Sequence, residues 1–194
     1  VAFVMPGRST PRAGNRWLLG LVVLAGAGVA VFLGVYASRH DPAGQPTVHF
    51  WFPTMLGFKA WFTTFALVGA VFQLWSSLRL RDRLSWPREV PSWLTDTHRL
   101  TGTVTLLLTL PVAYHCLWSL GYRFGNDPWS NPRILVHAVA GCVFYGWFVT
   151  KMLTVRIPAV PRSLIPWAGG FVFGSLTVVW LSSAAYFFAG QVGG

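Results

Sequence analysis

Five apolar runs alternate with short polar segments along the chain, at approximately Trp17–Tyr36, Pro53–Leu78, Leu100–Leu120, Ile134–Leu153 and Leu164–Phe188. Each reaches the about 20 residues that a helix needs to cross a hydrocarbon core of roughly 30 Å. The intervals between them are punctuated against helix. "SRHDPAGQPTVHFWFP" carries Pro42, Gly44 and Pro46, and "RLRDRLSWPREVPSW" precedes the third run. In "GNDPWSNPR", Ser130 or Asn131 is placed to cap a helix that starts at Pro132. The pattern predicts an all-α integral membrane bundle of five transmembrane helices, a single domain over 17–194 behind a loose basic cytoplasmic tail at 1–16. Arg8, Arg12 and Arg16 before the first run resemble the start of a signal peptide. The run is long for that role, and "VYASRHDP" lacks a small-residue cleavage pattern, so it reads as a retained span. The short link between spans three and four predicts antiparallel neighbours.

Composition fits this picture and the charges orient it. Hydrophobic residues make up 54% of the 194, charged residues only 10%, and mean hydropathy is +0.52, which excludes an ordinary soluble domain. The net charge of +10 comes from Arg-rich connections, so it records topology in a lipid bilayer, with no nucleic acid partner implied. With the N-terminus inside, the inner segments hold Arg8, Arg12, Arg16, Arg79, Arg81, Arg83, Arg88, Arg99, Lys151, Arg156 and Arg162. The outer segments hold Arg39, Arg123 and Arg133. That bias predicts the N-terminus in and the C-terminus out. Lys59 is left inside a span.

Two histidines interrupt the apolar pattern where it is otherwise strict. His115 lies about five residues before the outer end of span three and His137 about as far inside span four, so at ~1.5 Å per residue they reach similar depths. Facing one another, they would supply two axial nitrogens to a haem iron. Pro111, one turn before His115, removes a backbone hydrogen bond and bends the helix there. Gly141 follows His137 by four residues and would let a flat macrocycle approach the backbone; Gly102 follows His98 at the same spacing. The alternative is an ordinary interhelical hydrogen bond, and glycine also serves helix contact.

The remaining candidates are less constrained. His98 lies roughly 25 Å along the helix from His115, too far to share its haem. It admits three readings: a ligand of a second haem, with Met152 as a conceivable partner; a quinone contact together with Arg99; or a residue in interfacial water. Lys59 and Arg133 match the depth of the histidine pair and would suit haem propionates, although Lys59 can also snorkel outward. His40 and His49 flank the first outer loop as solvated residues. Cys116 and Cys142 read as small packing residues, and no C-x-x-C-H sequence exists for covalent haem attachment.

The segments "HRLTGTVTLLLTLPVAYHCLWSLGY" and "RILVHAVAGCVFYGWFVTKML" together resemble small b-type cytochromes of the cytochrome b561 and ferric-reductase-like kind. They are also similar to an uncharacterised group of actinobacterial membrane proteins that share P-V-A-Y-H-C and H-x-x-x-G. The resemblance covers spans two to four. It implies a bundle in the bacterial inner membrane, non-covalent haem b ligated by His115 and His137, and His98 as a less secure ligand. It further implies electron transfer with quinone or an extracytoplasmic carrier, within a respiratory-type assembly of several subunits. The chain departs from the two-haem pattern in lacking a second histidine pair. The competing expectation is a non-redox structural or assembly subunit, and the absence of Asp or Glu within the spans argues against a proton channel or transporter.

Overall fold

The computed structural model describes residues 16–41, 50–86, 89–120 and 131–190. Its elements are α1 (Arg16–Arg39), α2 (Met55–Arg79), α3 (Leu94–Tyr114) continued by a π-helical turn (His115–Leu120), α4 (Pro132–Arg156), α5 (Leu164–Ser182) and α6 (Ala184–Phe188). Five helices are long and apolar enough to cross a membrane, with α3 and its π turn forming one and α5 with α6 another. Large apolar side chains such as Leu24, Phe32, Val68, Leu107, Val139 and Phe171 point outward, as expected of helices solvated by lipid. The basic tail as far as residue 15, His49 with most of its loop, Arg88, and Arg123 before α4 lie outside the described residues.

The helix ends follow local chemistry. Thr54 caps α2 by accepting from the Gly57 amide at 3.0 Å, and Asn131 caps α4 with Pro132 as its first residue. Span three begins at Leu94, six residues before the apolar run, because its first turns are polar; Asp96 there complements the positive end of the helix dipole. His98 therefore stands within the helix. At the far end, Pro111 has no N–H to continue the ladder, and the helix widens into the π turn. The His115 amide there is shared between the carbonyls of Pro111 and Val112. Span five, predicted as continuous over Leu164–Phe188, breaks at Ser183 (φ −132°, ψ −72°). The Ser182 and Ser183 hydroxyls donate to the Val178 and Val179 carbonyls at 2.6 and 2.7 Å, competing with the backbone ladder.

Small residues decide which helices meet. α4 packs chiefly on α5 and α1, and α2 on α3. At the α1–α4 crossing the backbones touch through Gly26 and Gly146; a Cβ on Gly146 would lie 2.7 Å from the Gly26 carbonyl oxygen. Along the α2–α3 seam, Gln73 Nε2 donates to the His98 carbonyl and to Thr101 Oγ1. Spans three and four are antiparallel neighbours, as predicted, but they are not close-packed: α3 packs on α2 and α4 on α1 and α5. Between them Tyr145 on α4 shares its hydroxyl proton between the Thr109 carbonyl and hydroxyl on α3, both at 3.0 Å.

Candidate functional site

The space left between α3 and α4 is a cavity in two joined compartments. The deep one, of ≈ 80 Å³, is lined by Thr109, Cys116, His137, Gly141, Cys142 and Tyr145 among others. The wider one, of ≈ 340 Å³, adds Lys59 from α2, Arg133 from α4 and Ser182 and Ser183 from the break after α5. Cys116 and His137 line both. Four of the residues singled out in the sequence, His137, Gly141, Lys59 and Arg133, are thus brought to one space.

The break after α5 orients the two α4 side chains. His137 Nδ1 lies 3.1 Å from Ser182 Oγ, which is also 2.6 Å from the Val178 carbonyl oxygen. With the Ser182 proton on the Val178 carbonyl, Nδ1 donates and the lone pair falls on Nε2; with that proton turned to Nδ1, the roles reverse. Arg133 donates to the Ser182 carbonyl at 2.7 Å while its guanidinium sits 4.7 Å above the Tyr186 ring. Gly141 leaves the deep compartment open, since a Cβ there would meet nothing within 4 Å. Gly102 serves a different purpose: its Cβ would come within 3.2 Å of Gln73 Oε1, so this glycine admits the α2–α3 bridge.

His115 does not share this space. At 100° per residue, Thr109, Val112, Ala113, Cys116 and Leu117 form the stripe of α3 that faces the cavity, and position 115 points about a third of a turn away. Its ring is buried, 5.5 Å from that of Phe58. Nδ1 lies 2.7 Å from the Pro111 carbonyl oxygen, which can only accept, so Nε2 carries the lone pair. That nitrogen is buried with no hydrogen-bond partner among the described residues. The side chain opposite His137 is Cys116, which the sequence reading treated as packing. Cys116 and Cys142 do not form a disulfide.

His98 stands at the Arg-rich end of the bundle. Its Nδ1 lies 2.7 Å from Ser76 Oγ, which is also 2.7 Å from the Phe72 carbonyl oxygen, so this serine ties His98 to α2. It lines a separate cavity with Arg81 and Lys151, and Met152 is not among the lining residues. His40 is stacked between Tyr36 and Trp118, with ring centroids at 5.1 and 4.6 Å. Among the described residues, no three His, Cys, Asp or Glu side chains converge as a metal site.

Residues 19–192 match a family described as a family of unknown function, DUF6529. The chain belongs to this family. No curated protein and no solved structure matches it. The region shared with DUF6529 contains all the residues of both compartments, so the cavity lies in the family domain. Ser182 and Ser76, which orient two of the histidines, carry no sequence signal of their own. They are hydroxyls on other helices, recognisable only once helix pairing and depth are known.

Proposed function

We propose that the chain is a haem b-containing electron-transfer subunit of a membrane redox assembly, with its cofactor between α3 and α4. One observation carries this reading: His137 lines a cavity with its Nδ1 held 3.1 Å from Ser182 Oγ, so that Nε2 is the nitrogen that would ligate iron. The surroundings fit the group. Gly141 leaves room for a flat ring, the remaining walls are largely apolar, and Lys59 and Arg133 stand where acidic substituents would need cations. His115 would be the second residue to hold the group, on the strength of its buried Nε2, which has no partner among the described residues, and its backbone-anchored Nδ1; its ring would have to turn towards the cavity to do so. When bound, the haem supplies a reversible one-electron change. The chain's own residues fix the imidazole, balance the propionate charge and exclude water.

The resemblance to b-type cytochromes supports the same ligand pair, and the positive-inside bias supports a bacterial inner-membrane protein with this cavity towards the outside. Electrons would pass to or from quinone or an extracytoplasmic carrier, alongside other subunits. A second reading, a non-redox structural or assembly subunit, is favoured by the His98–Ser76 and His137–Ser182 bonds, since each already ties two helices together. The optical spectrum of the purified protein separates the two. Haem b absorbance is expected in the wild type, with loss of haem in His137→Ala, loss of the low-spin signature in His115→Ala and no change in His40→Ala. A folded, assembled wild type with no haem absorbance leaves the structural role.

A further inference from the structure

The cavity at the Arg-rich end has its own chemistry. It occupies ≈ 210 Å³ between α2, α3, α4 and α5, apart from the Cys116–His137 compartments. Arg81 from the end of α2, His98 from α3 and Lys151 from α4 line it and lie close enough to act on one another electrostatically. No acidic side chain is among its lining residues. The ion pairs among the described residues join Arg79 to Asp82 and Arg99 to Asp96, and neither involves Arg81 or Lys151. Two basic side chains and an imidazole are therefore gathered without a counter-ion among the described residues. Below them the walls are apolar, and Gly169 and Gly170 on α5 leave an opening where a Cβ would meet nothing within 4 Å.

We propose that this cavity binds a phosphate-bearing anion, with the headgroup of an anionic membrane phospholipid as its source. A neutral ring such as a quinone would leave the repulsion between Arg81 and Lys151 in place, whereas a phosphate answers both. Lys151 lies five residues before the end of α4, about 8 Å along the axis, close enough for its long side chain to reach up towards the headgroup layer at that end. Charged groups above and apolar walls below match a phosphodiester carrying acyl chains better than a fully hydrated ion.

The test uses the full chain reconstituted with phosphatidylcholine alone, with added phosphatidylglycerol, or with phosphatidylcholine and inorganic phosphate. Lipid retention is read by native mass spectrometry and stability by thermal unfolding. Wild type should retain phosphatidylglycerol and unfold at a higher temperature with it. Lys151→Gln and Arg81→Gln should each weaken retention about fivefold, the effect of one basic residue near an anionic headgroup. Arg39→Gln, at the opposite end, should retain it like wild type. Arg81 is exposed, so its variant keeps the test valid if Lys151→Gln fails to fold. Stabilisation by inorganic phosphate alone, lost in the same variants, would support the phosphate chemistry and assign it to a free ion. Stabilisation that is absent, or undiminished in both variants, would overturn the site.

Discussion

Three histidines on two helices share one arrangement: Nδ1 lies within hydrogen-bond distance of an oxygen, at 2.7 Å for His98 and His115 and 3.1 Å for His137. For His98 and His137 that oxygen belongs to a serine on another helix, which also lies within hydrogen-bond distance of a carbonyl of its own helix. The serine therefore orients the ring, and its removal should be felt at the other ring nitrogen. Ser182→Ala is expected to lower haem affinity about 10–100-fold, as loss of a partner that orients a ligand does, measured by haem titration of the apoprotein. Ser76→Ala removes an interhelical hydrogen bond far from that cavity. It should cost about 0.6 kcal/mol, and at most about 1.7, in a detergent unfolding titration, with haem binding unchanged. His137 and Gly141 were legible as an H-x-x-x-G spacing. Ser182, 45 positions from His137, was not, because no local pattern carries a contact between helices.

Between elements, glycines separate packing from cavity. Gly146 and Gly26 allow the α1 and α4 backbones to touch, so Gly146→Leu forces the two helices apart. Its expected cost is about 1–3 kcal/mol of stability, read from thermal unfolding in detergent. Gly141 lies five residues earlier on α4 and faces open space. Gly141→Leu should leave stability within about 0.5 kcal/mol while filling the deep compartment and reducing haem retention. Similar effects of the two substitutions on stability would contradict this division. The break at Ser183 belongs to the same scale. Hydropathy passes through it unchanged, because serine hydroxyls satisfied by their own helix are nearly as acceptable to lipid as the residues around them. Only the backbone angles reveal it, and it brings Ser182 to both His137 and Arg133.

For the whole molecule, the alternation of five spans places Trp51 and Trp86, exposed by 95% and 75%, at opposite ends of the bundle. In a background with Cys116 and Cys142 replaced by Ala, Trp51→Cys should react with an impermeant thiol reagent added outside cells, and Trp86→Cys only after the inner face is opened. Reaction of both from one side would contradict the five-span alternation, and the reverse pattern would invert the proposed orientation. Span number, helical class and the residues available for chemistry were determined by the sequence alone, because crossing a hydrocarbon core imposes a length and a hydropathy on each segment. Which helices pair was decided by tertiary structure, because inside a membrane hydropathy does not distinguish one apolar face from another and backbone approach at small residues does. That choice joined α4 to α1 and α5, left a cavity between α3 and α4, and placed Cys116 rather than His115 on the wall opposite His137.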